Sequence, residues 1–280
     1  MSATASGQVS KQLACNWFGI SRQAYYQAQK RQLQREVEDD LLVGLVKEIR
    51  QHHPRLGGRK LYYLLQKPMA EASITRGRDA FFDLLRQHDL LVPTKRSRHR
   101  TTRPGLWRCP NRLAEVAVER TNQVWVSDIT YIQTEQGFAY LSLITDAFSR
   151  YIVGYDLSTS LAAEGCLRAL NHALKQSAGV NLAGLIHHSD HGVQYTACAY
   201  TDQLKSAGIL SSMGEVGNCY ENALAERMNG ILKCEYFLDD LFVDLQHAQL
   251  AVEEAIHLYN FERPHFSLGL RSPVNVYLGF

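Results

Sequence analysis

The segment 123-QVWVSDITYIQTEQGFAYLSLITDAFSRYIVGYDLS-158 decides the fold class of this 280-residue chain. It holds three runs rich in β-branched and aromatic residues, at 123–134, 137–148 and 150–158, and short turns separate them. Such runs, closely spaced, predict a three-stranded antiparallel meander.

The residues after this meander alternate between helical and strand patterns. An amphipathic helix is predicted at 161–177, a short apolar strand at 184–190, a helix at 195–208 and a strand at 209–213. A further amphipathic helix follows, with Leu224, Met228, Ile231 and Leu232 on its apolar face. The order βββαβαβα predicts an α/β fold, with a mixed sheet flanked by helices.

The residues before the meander predict an all-helical region. Residues 8–30 are typical of a helix-turn-helix, with Gly19 at the turn and Ser21 as the N-cap of the second helix. A separate amphipathic helix is predicted at 36–52, and Ser73 or Thr75 is expected to cap a later helix. Its buried side would consist of Phe81, Leu84, Leu85 and Leu90.

Three parts of the chain follow from these patterns. Residues 1–92 form a helical region with helix-turn-helix elements, 93–118 an extended basic linker, and 119–280 an α/β core with a C-terminal helical extension. The linker prediction rests on a stretch with many arginines, three prolines and no periodicity. A solvated tether and an arm lying along phosphates have the same composition, so both remain open.

The charge of the chain is unevenly distributed. Residues 1–120 contain 22 Lys and Arg against 11 Asp and Glu, whereas residues 121–280 contain 8 against 17, although the whole chain is only +2. A strongly basic part joined to an acidic part favours a polyanion-binding region attached to a second function, and nucleic acid is the expected partner.

Composition excludes several classes of protein. Hydrophobic residues make up 45% of the chain, which is enough for a large core, but no run of 18 apolar residues predicts a membrane span. The first residues lack the apolar region of a signal peptide. The six cysteines are irregularly spaced without a C-x-x-C pair, so we expect reduced thiols in a cytoplasmic, nucleoid-associated protein.

Acidic residues fall at the edges of three predicted elements. Asp128 interrupts the first strand, Asp190 ends the fourth, and Glu226 lies on the late helix. On that helix Glu226 belongs to a polar row with Asn222, Asn229 and Lys233. Converging carboxylates need compensating cations, and oxygen ligands suit Mg²⁺ or Mn²⁺. Two such ions about 4 Å apart would suit attack on a phosphodiester.

Several motifs resemble one protein family. The stretches WVSDITYI, DAFSRYIVGY, HSDHGVQYT, NCYENALAERMNGILKCE and YNFERPHFSLGLRSPVNVY, with 35 residues between Asp190 and Glu226, are similar to the OrfB-type transposases of two-frame bacterial insertion sequences. These belong to the DDE retroviral-integrase-like superfamily. The chain departs from the family at Glu221, where aspartate is usual, and at Gly214, where a hydroxyl residue is often found.

The resemblance implies a ribonuclease-H-like core and a DDE transposase that cleaves and transfers DNA strands. Asp128, Asp190 and Glu226 would be both catalytic residues and ligands of two Mg²⁺ or Mn²⁺ ions. The DNA partners would be the terminal inverted repeats of the element and its target. The enzyme would act as a homo-oligomer on DNA, and an upstream-frame OrfA product, or a fusion with it, is a possible partner.

The expected DNA contacts are distributed along the chain. Arg22 and Gln23 would read the groove from the second helix of the turn motif, and basic residues near helix starts commonly contact phosphates. The resemblance adds Lys233 near the active site, and it adds Arg263 near the C-terminus as a contact to DNA or to another subunit. The full set is Arg22, Gln23, Arg59, Lys60, Arg76, Arg78, Lys95, Arg96, Arg98, Arg100, Lys233 and Arg263.

Other interpretations of the acidic and histidine residues remain open. Asp146 could replace a member of the triad, although a turn residue or a partner of Arg150 is the simpler interpretation. Histidines at 187, 188 and 191 overlap a zinc-hydrolase motif, but Ile186 occupies a position where that motif needs histidine. A DNA-binding regulator without catalysis and a metal-dependent hydrolase of small molecules are therefore the alternative functions.

Overall fold

The computed structural model describes residues 10–93, 111–113, 116–214 and 223–280. Its chain divides into two compact units. The helical unit comprises residues up to Gln51 together with Gly57–Val92, and the core unit comprises His52–Leu56 together with Pro93–Phe280.

The helical unit contains the five helices α1 Lys11–Trp17, α2 Arg22–His52, α3 Gly58–Leu64, α4 Gln66–Glu71 and α5 Arg78–Gln87, the last residue of α2 belonging to the core unit. Gly19 adopts a positive φ of 64° between α1 and α2. The Oγ of Ser21 accepts a hydrogen bond from the backbone N–H of Ala24, so Ser21 is the N-cap that the sequence predicted.

Two predictions for the helical unit are wrong. The helices expected at 21–30 and 36–52 form the single helix α2, because no Gly or Pro interrupts residues 22–43 and strong helix formers fill them. Neither Ser73 nor Thr75 caps α5. Its N-cap is Gly77, which makes no side-chain capping bond. Phe81, Leu84 and Leu85 are buried as expected, and Leu90 is half-buried.

The core unit is built on a mixed six-stranded sheet. Its strands are β1 Val124–Thr134, β2 Gly137–Asp146, β3 Ile152–Ser158, β4 Ile186–Ser189, β5 Leu210–Met213 and β6 Leu241–Phe242. The order is β3-β2-β1-β4-β5, and β6 pairs with β1. The first three strands pair antiparallel, which confirms the meander, and β4 pairs parallel with both β1 and β5.

Helices cover both faces of this sheet. They are α6 Ala163–Gln176, α7 Val193–Thr196, α8 Cys198–Ser206, α9 Ala223–Glu235, α10 Leu245–Phe261 and α11 Pro273–Tyr277. On one face Trp125 and Val153 pack with Ala169 and Ala173 of α6. On the other face Ile132, Leu141 and Ile152 pack with residues of α9 and α10. The three layers confirm the predicted α/β class with a mixed sheet.

One close approach between α6 and the sheet depends on glycine. A Cβ on Gly154 would lie 2.3 Å from the carbonyl oxygen of Ala169 and 2.7 Å from the Cβ of Ala173. We therefore expect Gly154→Ala to lower the free energy of unfolding by about 1–3 kcal/mol, because the helix must move away. Denaturant unfolding of the full chain measures this.

Gly230→Ala is the matched control for that substitution. Gly230 lies in α9, and a Cβ there would meet nothing within 4 Å. Since alanine favours helix more than glycine does, this change should be neutral or stabilise by up to about 1 kcal/mol. Equal effects of the two substitutions would contradict the close packing of α6 on β3.

Within the part of the chain that the structure describes, no helix combines the length and the apolar character needed to cross a bilayer.

Candidate active site

Asp128 lies in the middle of β1, on the face of the sheet that α9 covers. Side chains alternate along a strand, so Asp128 shares its face with Val126, which packs against Ala225 of α9. The Nδ2 of Asn229, also on α9, donates a hydrogen bond of 2.8 Å to Oδ2 of Asp128. The half-buried Asp128 is therefore fixed between the central strand and the late helix.

Asp190 follows the end of β4, the strand next to β1. In the parallel register Val126 lies beside His188, so two residues further along Asp190 follows the end of β4 next to Asp128. The Oδ1 of Asp190 accepts a 3.0 Å hydrogen bond from the N–H of Gly192. Burial raises the pKa of Asp190, although the Gly192 N–H and the charge of His191 oppose this.

Glu226 is exposed in the first turn of α9. Its charge acts on Asp128 together with that of Asp190. Burial is the largest cause that raises the pKa of Asp128 to about 7, and the negative charges of Asp190 and Glu226 raise it further. Hydrogen bonds from the Ile129 N–H and from Asn229 lower this pKa only in part. The structure thus brings the three predicted carboxylates into one electrostatic cluster.

The polar row on α9 extends this cluster. Lys233 is half-buried, and burial lowers its pKa while the carboxylates of Asp239 and Asp128 raise it. Its ammonium group therefore acts on the same carboxyl that Asn229 contacts. Asn222, the first member of the row, lies outside the described residues.

Asn229 belongs to the polar row that the sequence predicted to face the metal and the DNA, although it was not among the predicted site residues. It is only 6% exposed, and its Oδ1 has no hydrogen-bond partner among the described atoms. Its spacing of three residues from Glu226 was the available signal, because such residues share a helix face. An unpartnered amide oxygen beside a buried carboxyl leaves room for a cation or water in contact with both.

The donor set fits a hard divalent cation. It offers carboxylate oxygens and an amide oxygen, the ligands that Mg²⁺ and Mn²⁺ prefer. Around the Asp128 carboxyl, the negative charges of Asp190 and Glu226 face the single ammonium group of Lys233, so a cation would balance the charge of the cluster. Among the described residues, no three His, Cys, Asp or Glu side chains already stand in a metal-holding arrangement.

The residues predicted to contact DNA differ in their exposure to solvent. Arg22, Gln23, Arg59 and Arg78 are exposed, and Lys60 is half-buried. The four basic-arm residues lie outside the described part of the chain, namely Lys95, Arg96, Arg98 and Arg100. The Nη2 of Arg76, whose side chain is only 15% exposed, lies 2.5 Å from Asp39 and 3.7 Å from Glu38, so this guanidinium is held within the helical unit.

The structure overturns the prediction that Arg263 contacts DNA. Arg263 is only 2% exposed, and its Nε and Nη2 each donate to the Glu235 carboxylate at 2.7 Å. Its Nη1 lies 2.7 Å from Nε2 of His265, which is also buried. A motif match places a residue along the chain but does not show that folding buries it, so we remove Arg263 from the DNA contacts.

Arg263→Ala should therefore lower stability while leaving DNA affinity unchanged. Removal of one partner of a buried pair leaves the Glu235 carboxylate uncompensated, at a cost of about 3–5 kcal/mol. Denaturant unfolding and the salt dependence of DNA binding by the folded protein are the two measurements.

Arg168→Ala is the control for Arg263→Ala. It removes a 2.9 Å pair with Asp156 in which the arginine side chain is 53% exposed, and should cost less than about 1 kcal/mol. A flatter salt dependence in Arg263→Ala, at unchanged stability, would contradict the structural role of Arg263.

The alternative site residues have structural roles. The buried Asp146 accepts hydrogen bonds from the N–H of Asn122 and from the N–H and Oγ of Ser149, so it belongs to a turn. His187 lies between Ser127 and Tyr200, and burial lowers its pKa to about 3. His188 contacts Ser212, and His191 contacts the Gly214 carbonyl. These contacts give no support to a zinc centre.

Two protein-family models match the core unit. Both are integrase core domains, one matching residues 118–219 and the other residues 207–273. Together they include all three carboxylates and both α9 residues that act on Asp128.

Relatives of the chain come from bacterial insertion sequences. The uncharacterized 31 kDa protein of insertion element IS600 from Shigella sonnei is 36% identical over 263 residues, which cover 92% of this chain and 95% of that protein. The transposase for insertion sequence element IS629, also from Shigella sonnei, is 39% identical over 159 residues. That match covers 57% of this chain but only 53% of the relative.

Solved structures with a similar fold include the catalytic core domain of HTLV-2 integrase in complex with magnesium. It is 18% identical, with a TM-score of 0.45, over 56% of this chain and 97% of that one.

Proposed function

Because this chain belongs to the integrase-core transposases of bacterial insertion sequences, we propose that it cleaves DNA strands and joins them to a new site. The observation that carries this proposal is the convergence of three carboxylates: the half-buried Asp128 is held by Asn229 of α9 at 2.8 Å, and the charges of Asp190 and Glu226 act on it. An acidic cluster of this kind, fixed by a sheet and a helix, is suited to divalent-metal chemistry on phosphodiesters.

Each residue of the cluster has a distinct proposed task. Asp128, Asp190 and Glu226 would hold two Mg²⁺ or Mn²⁺ ions, which supply the positive charge that stabilises in-line displacement at phosphorus. Asn229 orients Asp128 through its 2.8 Å hydrogen bond. Lys233 would neutralise a DNA phosphate at the edge of the site, where its charge already acts near Asp128.

The helical unit would select the DNA on which the core acts. Arg22 and Gln23 begin the exposed face of α2 directly after the Gly19 turn, so they are the candidates for base contacts. Arg59, Lys60 and Arg78 lie at the starts of α3 and α5, where phosphates are commonly bound. Base contacts would discriminate the terminal repeats, and phosphate contacts would hold any duplex.

The basic arm should contribute affinity without sequence preference. We expect replacement of Arg96, Arg98 and Arg100 by alanine to weaken binding to all duplexes and to flatten the salt dependence. Each lost phosphate contact lowers the slope of log affinity against log salt by about 0.9. Titration of a labelled duplex at several salt concentrations measures the slope, and an unchanged slope would mean that the segment is only a tether.

The assembly of the enzyme belongs to the same proposal. Two element ends have to be held together while they are joined to one target, so we expect a homo-oligomer on DNA. An upstream-frame OrfA product, or a fusion with it, remains a possible partner. Sedimentation of the chain with and without duplex DNA tests the first expectation.

A cleavage and strand-transfer assay tests the function itself. Labelled duplexes carrying the sequences that flank the gene, and scrambled duplexes of equal length, are incubated with the full chain in Mg²⁺ or in a chelator. We expect nicked and joined products only with metal and preferentially with the flanking sequences. Joined products in chelator, or none with metal and the flanking sequences, would refute the proposal.

A further inference from the structure

A cleft in the core unit lies beside the acidic cluster. Its volume is about 670 Å³, within the usual range for ligand pockets. Val126 and Leu224, two residues before Asp128 and Glu226 respectively, form part of its wall. Since Val126 and Asp128 share one face of β1, the cleft opens on the same side of the sheet as the carboxylates.

Two further segments of the chain contribute to the walls of the cleft. The turn between β2 and β3 contributes Phe148 and Arg150, and the segment between α10 and α11 contributes Leu268 and Arg271. Phe148 is half-buried and is one of the residues that line the cleft. The lining thus combines aliphatic and aromatic surface with two guanidinium groups.

The charge of this cleft is opposite to that of its surroundings. Residues 121–280 contain only 8 Lys and Arg against 17 Asp and Glu. Arg150 and Arg271 nevertheless line the cleft, and no acidic residue is among the described lining residues. The charge of Arg227 also acts on Arg150 and adds to the positive potential near the cleft.

The two lining arginines differ in their surroundings. Nη1 of Arg150 donates to the Ala147 carbonyl at 2.5 Å. Burial and the charge of Arg227 lower the pKa of Arg150 more than Tyr259 and Asp146 raise it. Arg271 is exposed and donates to the backbone oxygens of Leu268 and Phe280. An incoming anion would therefore meet one desolvated and one accessible cation.

We propose that this cleft binds one unpaired nucleotide of the DNA strand beside the scissile phosphate, with its base on Phe148 and its phosphate between Arg150 and Arg271. The inference rests on the proposed function, because that function brings DNA to the neighbouring carboxylates. An aromatic ring next to guanidinium groups is the arrangement by which proteins hold unstacked bases and their phosphates.

The lining chemistry favours a nucleotide over an apolar peptide. A peptide segment would cover the aliphatic walls but leave the arginines without a counter-charge. A nucleotide supplies a flat apolar base and an anion in one unit. An unpaired nucleotide also relaxes the DNA next to the bond that is cut, and its unstacking cost is small where the duplex already ends or is nicked.

Fluorescence of 2-aminopurine tests this binding mode. Two nicked duplexes of the same sequence are prepared, one with an unpaired 2-aminopurine beside the nick and one with the base paired. The full chain is titrated in Ca²⁺, which takes similar oxygen ligands in a looser geometry. We expect roughly tenfold tighter binding of the unpaired probe, accompanied by quenching as the base stacks.

Variants assign this preference to the cleft. Phe148→Leu should abolish both the tenfold preference and the quenching. Arg271→Ala changes an exposed side chain, so it should fold normally and lower the salt slope for the unpaired probe by about 0.7. Phe266→Ala and Lys175→Ala are matched controls, because both residues are exposed and neither lines the cleft. They should leave the preference and the salt slope unchanged.

Two results would overturn the inference. The first is equal affinity of the full chain for the two probes. The second is a combined result, in which folded Phe148→Leu keeps both the preference and the quenching, and Arg271→Ala keeps the salt slope of the unchanged chain. Displacement of the unpaired probe by apolar peptide but not by mononucleotide would assign the cleft to protein instead. Cleavage of the same duplexes in Mg²⁺ is scored separately. Cleavage without the probe preference therefore rejects only the cleft, whereas the preference without cleavage rejects the proposed function.

Discussion

Asp128→Asn, Asp190→Asn and Glu226→Gln are each expected to reduce cleavage and strand transfer by roughly a thousandfold or more. Each substitution keeps the shape of the side chain and removes one negative charge. Metal assistance contributes several kcal/mol to such reactions, and each 1.4 kcal/mol corresponds to a tenfold change in rate. The measurement is single-turnover cleavage of labelled duplex DNA in Mg²⁺.

Asp202→Asn is the matched control for the three carboxylates. Asp202 lies on α8 of the same unit, and its exposed side chain pairs with Lys205 at 3.4 Å. The cleavage activity of Asp202→Asn should equal that of the unchanged chain. DNA affinity should remain close to normal in all four variants, because none of them removes a phosphate contact. Cleavage at the normal rate by any triad variant would remove that residue from the proposed metal ligands.

Removal of the helical unit is expected to separate selection of DNA from chemistry. A fragment of residues 93–280 should retain weak, metal-dependent nicking of DNA of any sequence and lose the preference for element ends. Side chains that read base edges contribute about 1–3 kcal/mol each to discrimination, whereas phosphate contacts contribute almost none. Competition between end and scrambled duplexes at fixed salt measures the preference.

The structure indicates that a core fragment should begin before the predicted boundary at residue 119. It also indicates which stabilising contacts the fragment loses. A start at Glu119 would remove Leu113, Val116 and Val118, which pack against buried residues of β1. Residues 52–56 are lost in either case, although the buried His53 lies 3.1 Å from the hydroxyl of Tyr236. We therefore expect the fragment to fold with reduced stability, which urea unfolding can show.

Substitutions in the full chain provide the comparison for the fragment. Arg22→Ala and Gln23→Ala should each remove part of the preference for end DNA. Lys67→Ala removes an exposed charge whose pair with Glu71 is 3.9 Å long, and should leave the preference intact. A core fragment that prefers end DNA as strongly as the full chain would show that the core itself reads the ends.

Local patterns predicted most elements of the core because they depend on neighbouring residues. The alternation in 123–158 predicted the meander, since a strand with one buried face must alternate. The same reasoning failed at residues 31–35, where a boundary was expected. Residues 31–35 contain no Gly or Pro, so the local sequence gives no reason for α2 to end there. The sequence also did not predict β6, because a strand of two residues has no pattern of its own and forms only by pairing with β1.

The sequence alone determined the α/β class, the charge asymmetry and the three acidic positions with their spacing. Only the tertiary structure decided which polar residues act together. Asn229 reaches Asp128 across 101 positions of the chain, and Arg263 is buried against Glu235 rather than exposed to DNA. The cleft beside β1 likewise combines residues from Leu113 to Val276. The burial of a group and the electrostatic field that acts on it depend on every element packed around it, so no local sequence pattern can predict them.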